Sequence, residues 1–96
     1  MQSHIEDITA QLSELVKTLN THSSNYSNIR LTMFDITDKE GRIHWQILAD
    51  ATGYLTTHFA AINYYHERNL YRGNCKGRYE THSLDEVIAR ISRKFL

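Results

Sequence analysis

The sequence predicts a small α+β domain in which helices from the two chain ends pack on one face of an antiparallel sheet. We expect three or four strands in the order α-β-β-β-α. Three observations lead to this prediction. Apolar residues recur at helical spacing near both ends. The middle alternates with a period of two. The length of 96 residues corresponds to one domain, so we assign residues 1–96 to it.

An amphipathic helix is predicted over residues 4–20. Its start is indicated by Ser3 and Glu6, which have the spacing of a capping box. Its end is predicted near Asn20, before a polar stretch. The buried stripe consists of Ile5, Ile8, Leu12, Leu15 and Leu19.

Residues 28–36 and 42–50 are predicted to form a β-hairpin around a turn that ends at Gly41. In the second strand apolar residues alternate with polar ones, namely Ile43, Trp45, Ile47 and Ala49. In the first strand Ile29, Leu31 and Met33 share one face. Phe34 and Ile36 have the opposite parity, so they mark a bulge or lie on an uncovered face of the sheet.

Residues 54–66 fit either a strand or a helix, and their Thr and Tyr content favours a strand. Residues 67–78 are expected to form a loop or a short irregular hairpin, and residues 78–81 a short last strand. A second capping box, Ser83 with Glu86, begins a C-terminal amphipathic helix. The predicted core contains Leu12, Leu15, Trp45, Ile47, Val87, Ile88 and Ile91.

The charge is zero overall but unevenly distributed. Residues 1–50 have four basic and seven acidic side chains, giving −3, and residues 51–96 have seven basic and four acidic, giving +3. The chain has one cysteine, which excludes an intrachain disulfide. Without a signal peptide or an apolar run long enough to cross a membrane, we expect a cytoplasmic protein that does not enter membranes.

The densest group of interaction-prone side chains lies between residues 64 and 82, where tyrosines alternate with cations. Tyr and Arg are favoured anchors of protein interfaces, and the same types stack on bases and bind phosphates. Half-buried structural tyrosines beside a solvated basic loop are a third interpretation. The predicted binding residues are Tyr64, Tyr65, Arg68, Tyr71, Arg72, Lys76, Arg78 and Tyr79.

Catalytic and metal sites have weaker support in the sequence. Cys75 lies beside Lys76, which would lower the pKa of a thiol nucleophile, but no motif for an oxyanion site accompanies it. The remaining ligand-type residues have neither zinc nor EF-hand spacing; they are His58, His66, His82, Asp35, Asp38, Glu40 and Asp50. We therefore expect a non-enzyme without metal or cofactor.

Two resemblances concern size and layout alone. The α-β-β-β-α order resembles a double-stranded-RNA-binding domain, which implies an RNA partner. That family has a basic run at the start of the last helix, where this chain has Ser83-Leu84-Asp85-Glu86. The length and polarised charge also resemble compact anti-CRISPR proteins, which implies an inhibitor. We expect a protein-binding inhibitor or regulator whose partner has an acidic surface; a nucleic-acid partner and a homo-oligomer stay open.

Overall fold

A computed structural model describes residues 2–34, 41–53 and 56–96. The described chain is α+β, with a helix at each end and a five-stranded antiparallel sheet in the order β1-β2-β3-β4-β5. The elements are α1 (Gln2–His22), β1 (Tyr26–Phe34), β2 (Arg42–Ala51), β3 (Thr57–Tyr65), β4 (Leu70–Asn74), β5 (Arg78–Thr81) and α2 (Leu84–Phe95). The predicted class is confirmed, whereas the prediction of three or four strands was too low.

The additional strand is β4, whose residues were predicted to form a loop or a short irregular hairpin. It is five residues long and includes Gly73, so it shows little alternation of apolar and polar residues. Its two turns have left-handed backbone positions, at Asn69 with φ 48° and at Lys76 and Gly77 with φ 55° and 109°. The strand reading of residues 54–66 is confirmed over Thr57–Tyr65.

Both helices pack on the same face of the sheet, around Trp45. This side chain has no exposed surface, and its Nε1 donates a hydrogen bond to Thr9 Oγ1 at 3.1 Å. The predicted core is confirmed with one exception: Ile88 is only half-buried, in a groove that is lined by both helices. The remaining six residues lie in one cluster with the helix-facing side chains of the strands, which include Ile43, Ile47, Ala60, Ile62, Tyr64, Tyr71 and Tyr79.

A bulge in β1 determines which of its side chains face the helices. The register with β2 shifts between Ser27 and Arg30, where Asn28 has φ 52°. The Asn20 side chain fixes the bulge, because it accepts a hydrogen bond from Ile29 N at 2.9 Å and donates one to Ile29 O at 2.8 Å. Beyond it, Phe34 lies on the helix-free face; Ile36 lies outside the described residues.

The start of α2 uses the predicted cap in a modified form. Ser83 Oγ accepts a hydrogen bond from Glu86 N at 3.3 Å. Glu86 does not return the bond directly: its Oε2 accepts from Thr81 Oγ1 at 2.7 Å, and Thr81 Oγ1 accepts from Ser83 N at 3.1 Å. Thr81 therefore couples the last strand to the helix cap.

Replacing Ser83 with alanine is expected to lower the free energy of unfolding by about 0.5–2 kcal/mol, because the N–H of Glu86 loses its acceptor. Chemical denaturation followed by circular dichroism measures this change. The control is Ser24→Ala, because Ser24 is exposed in the connection between α1 and β1. Equal losses in the two variants would exclude the cap assignment.

Candidate binding surface

The face of the sheet opposite the helices, called here the open face, is defined by the strand register. Residues directly opposite each other on neighbouring strands share a face, so each row of partners crosses the sheet. One row contains Phe34, His44, Asn63, Arg72 and Glu80. The next contains Thr32, Gln46, Ala61, Asn74 and Arg78.

An open concavity of about 600 Å³ lies where β3, β4 and β5 meet on this face. Ala61 is among its lining residues, and its short side chain fills little of the space. Arg72 and Arg78 also line it, together with the polar residues Asn63, Asn74 and Glu80. Two guanidinium groups beside a shallow polar depression form a surface suited to carboxylates.

Side-chain contacts fix the Arg72 end of this surface. Arg72 Nη2 donates to Glu80 Oε1 at 3.2 Å, and its guanidinium lies 5.6 Å from the Tyr65 ring centroid. Asn63 Nδ2 donates to the backbone oxygen of Arg72 at 3.1 Å, and Asn63 Oδ1 lies 2.8 Å from His44 Nδ1. The contacts thus extend from β2 to β5 and hold the polar groups in place.

Three of the predicted binding tyrosines lie in the core. Tyr64, Tyr71 and Tyr79 are 2%, 3% and 6% exposed. Burial raises the pKa of Tyr71 to about 12 and also raises the pKa of Tyr79. Because alternate residues of a strand point to opposite faces, these rings face the helices. Their prediction as contact residues is corrected.

The other predicted binding residues lie at or near the surface. Tyr65 is on the open face but only 9% exposed, since Arg68 and Arg72 lie over its ring at 5.3 and 5.6 Å from the centroid. Arg68 belongs to the turn before β4 and Lys76 to the turn after it, at opposite ends of that strand. The fold therefore brings Arg72 and Arg78 to one concavity, whereas Arg68 and Lys76 are not among its lining residues.

Sequence reasoning missed Phe59, the most exposed large apolar side chain within the described strands at 50%. It lies on the open face opposite Leu48, and Phe34 on β1 is 41% exposed on the same face. The parity of β3 was the available signal, because Phe59 alternates with the buried residues Ala60 and Ile62. It was not usable while residues 54–66 remained ambiguous between strand and helix.

Cys75 is buried, and its Sγ donates to the backbone oxygen of Arg90 at 3.4 Å. Burial raises the pKa of this thiol even though nearby cations act to lower it. The shift is therefore opposite to the one that a thiolate nucleophile requires.

The described residues contain no group of three His, Cys, Asp or Glu side chains placed to bind a metal ion. Asp35, Asp38 and Glu40 lie outside the described residues. Asp50 is on the open face, where Asn28 and Arg30 hold the pKa of its carboxyl below the ordinary value. Its Oδ1 forms an ion pair with Arg30 Nη1 at 3.3 Å. The Asp50 carboxylate is therefore part of an ion pair between neighbouring strands of the sheet.

Within the described ranges, no helix combines the length and the apolar character needed to span a membrane. Comparison with known protein families, with curated proteins and with solved structures finds no significant match. Function is therefore inferred below from the chemistry of the described surface.

Proposed function

We propose that this is a non-catalytic binding protein that docks through its open face onto an acidic region of a protein partner. The observation behind the proposal is the placement of both helices on one face of the sheet. Among the described residues, no element covers the other face. This face combines exposed aromatic rings, at Phe34 and Phe59, with two cations that line one concavity, Arg72 and Arg78.

Charge supports an acidic partner. From the turn before β4 to the end of β5, the exposed charged side chains are Arg68, Arg72, Lys76, Arg78, Glu67 and Glu80. Four cations and two anions leave a net charge of +2. A field of this sign attracts acidic surfaces during encounter. Guanidinium groups then bind carboxylates with two parallel hydrogen bonds.

The position of the aromatic rings favours a protein over a nucleic acid. Binding of single strands depends on exposed rings for base stacking. Tyr64, Tyr71 and Tyr79 are in the core, and Tyr65 is covered by arginines. The exposed rings Phe34 and Phe59 lie on β1 and β3, outside the cationic segment. Exposed aromatic rings and arginines on the same surface are typical of protein interfaces.

The most concrete form of this proposal is a small inhibitor or regulator that acts by covering a partner's surface. This is the class implied by the resemblance to anti-CRISPR proteins, and it places the protein in the cytoplasm with its target. The burial of Cys75, which raises the pKa of its thiol, supports the non-catalytic part of the proposal, because nucleophilic catalysis needs an accessible thiolate.

The double variant Arg72→Glu, Arg78→Glu is expected to capture its protein partner at least about tenfold less well than wild type, because each reversal replaces attraction with repulsion. The experiment uses the full chain as immobilised bait in extract of the source cells, with quantitative mass spectrometry of the bound proteins. The fold should persist, since the Arg72–Glu80 ion pair is half-exposed and such pairs contribute about 0–1 kcal/mol.

The single variants Arg72→Glu and Arg78→Glu are each compared with Lys17→Glu. This control makes the same charge change at an exposed position on α1. The control should capture the partner as well as wild type. Equal capture by the folded double variant would contradict the proposal. Nuclease-sensitive capture that falls steeply with salt would contradict it in favour of a nucleic-acid partner.

A further inference from the structure

Among the described residues, only about half of the β3 edge that faces β4 is paired with another strand. Strand β4 pairs with residues Ala61–Tyr65 of β3 and ends at Asn74. Residues 57–60 pair with β2 along their other edge. No described strand lies beside them on the β4 side, because the chain turns away at Cys75 toward β5. The sheet therefore contains a notch four residues long, in line with β4.

A lysine side chain occupies a position in this notch that a neighbouring strand would otherwise use. Lys94, in the last turn of α2, donates from Nζ to the backbone oxygen of Phe59 at 2.8 Å. The same ammonium lies 5.6 Å from the Phe95 ring centroid. Lysine is common at exposed strand edges, because its charge opposes non-specific pairing with a strand of another chain. A single side chain is also displaced more easily than a strand.

The two sides of the notch differ chemically. On the helix side, the last turn of α2 contains Arg93 and Lys94, and the Lys94 ammonium lies at the Phe59 carbonyl. On the open-face side stands the Phe59 ring, which is 50% exposed and opposite Leu48. A strand added here would direct alternate side chains to these two sides.

We propose that the notch binds an extended segment of a partner protein in which acidic and apolar side chains alternate, added as a strand in line with β4. A backbone N–H of the segment replaces Lys94 Nζ at the Phe59 carbonyl, and the released ammonium pairs with an acidic side chain. Apolar side chains of the segment pack against the Phe59 ring. Backbone hydrogen bonds provide affinity in such strand addition, and the alternating side chains provide specificity.

The test is an NMR titration of the full chain with a synthetic hexapeptide of alternating glutamate and valine. We expect the largest amide shift changes at residues 57–60 and slower exchange of the Phe59 amide. Two matched peptides serve as controls: one has lysine for glutamate, and one has N-methylated amides that cannot pair with a strand. Both should bind at least about tenfold more weakly than the glutamate peptide.

Variants of the protein separate this site from the proposed open-face site. Lys94→Glu should weaken binding of the glutamate peptide about tenfold, whereas Lys17→Glu should change it less than about twofold. Arg72→Glu, Arg78→Glu should retain the shifts at residues 57–60. If the shifts instead centre on Asn63, Arg72 and Arg78, the notch assignment is wrong while the open-face proposal gains support.

Three further results would overturn the notch proposal. One is the absence of shifts at residues 57–60 with peptide on the order of 1 mM. Another is equal binding of the lysine and glutamate peptides, which would remove the acidic specificity. The third is a concentration-dependent change at residues 57–60 without peptide, which would assign the notch to a second copy of the chain.

Discussion

The Trp45→Ala variant is expected to lose about 3–5 kcal/mol of the free energy of unfolding. Trp45 is fully buried where both helices meet the sheet, and its Nε1 bonds to Thr9 Oγ1 at 3.1 Å. Truncation removes its packing, opens a cavity and leaves the Thr9 hydroxyl without this donor. A domain of this size has about 5–15 kcal/mol of stability in total. Circular dichroism should show the thermal midpoint lowered by at least about 12 °C.

The control for this result is Phe59→Ala, which removes an aromatic ring from the open face. Phe59 is half-exposed, so its loss should change stability by only about 0.5 kcal/mol. Trp45→Phe should fall between the two variants, because it restores part of the volume without the hydrogen bond. If Trp45→Ala and Phe59→Ala unfold at the same temperature, the assignment of the core to the helix-covered face is wrong.

The Gly73→Ala variant is expected to be destabilised by about 3 kcal/mol, at the upper end of the usual cost of overpacking. A Cβ atom at this position would overlap the backbone oxygen of Ala61 and lie 2.5 Å from Tyr79 Oη. The Tyr79 ring reaches across Gly73 and donates from its hydroxyl to the Ala61 oxygen at 3.1 Å. Denaturant unfolding measures the loss, and the β4–β5 end of the sheet should show the largest changes in amide exchange.

Two variants isolate the cause. Asn74→Ala changes the next residue of β4, which is exposed, and should be nearly silent. Adding Tyr79→Phe to Gly73→Ala removes the clash with the hydroxyl but not the overlap with the Ala61 backbone, so stability should not recover. If the double variant regains stability, the contact with the Tyr79 hydroxyl causes the loss. If Gly73→Ala is as stable as wild type, β3 and β4 are farther apart than the structure shows.

Local patterns were sufficient for most of the fold. The stripe from Ile8 to Leu19 and the cap at Ser83 each depend on residues a few positions apart, so the chain itself records them. The alternation around Trp45 likewise gave one face of β2. Strand β4 has no comparable local pattern. This five-residue strand contains a glycine and is stabilised by its pairing with β3 and β5.

The candidate site was only partly predictable. Residue type identified Arg72 and Arg78 as binding candidates, and parity left Phe34 either at a bulge or on the open face. The direction of Tyr64, Tyr71 and Tyr79 depends on the register of β3, β4 and β5. A shift of one residue would reverse the face of every side chain. The sequence contains no local signal for that register in this segment.

By itself, the sequence determined the α+β class, the two amphipathic helices, most of the core and the opposite charges of the two halves. These properties follow from composition and from spacing within a few residues. Tertiary structure decided which tyrosines are buried, which arginines meet at the concavity, and that Lys94 reaches the uncovered edge of β3. Residues 59 and 94 are 35 positions apart. Only strand register and helix packing bring such groups together, because no short-range preference links them.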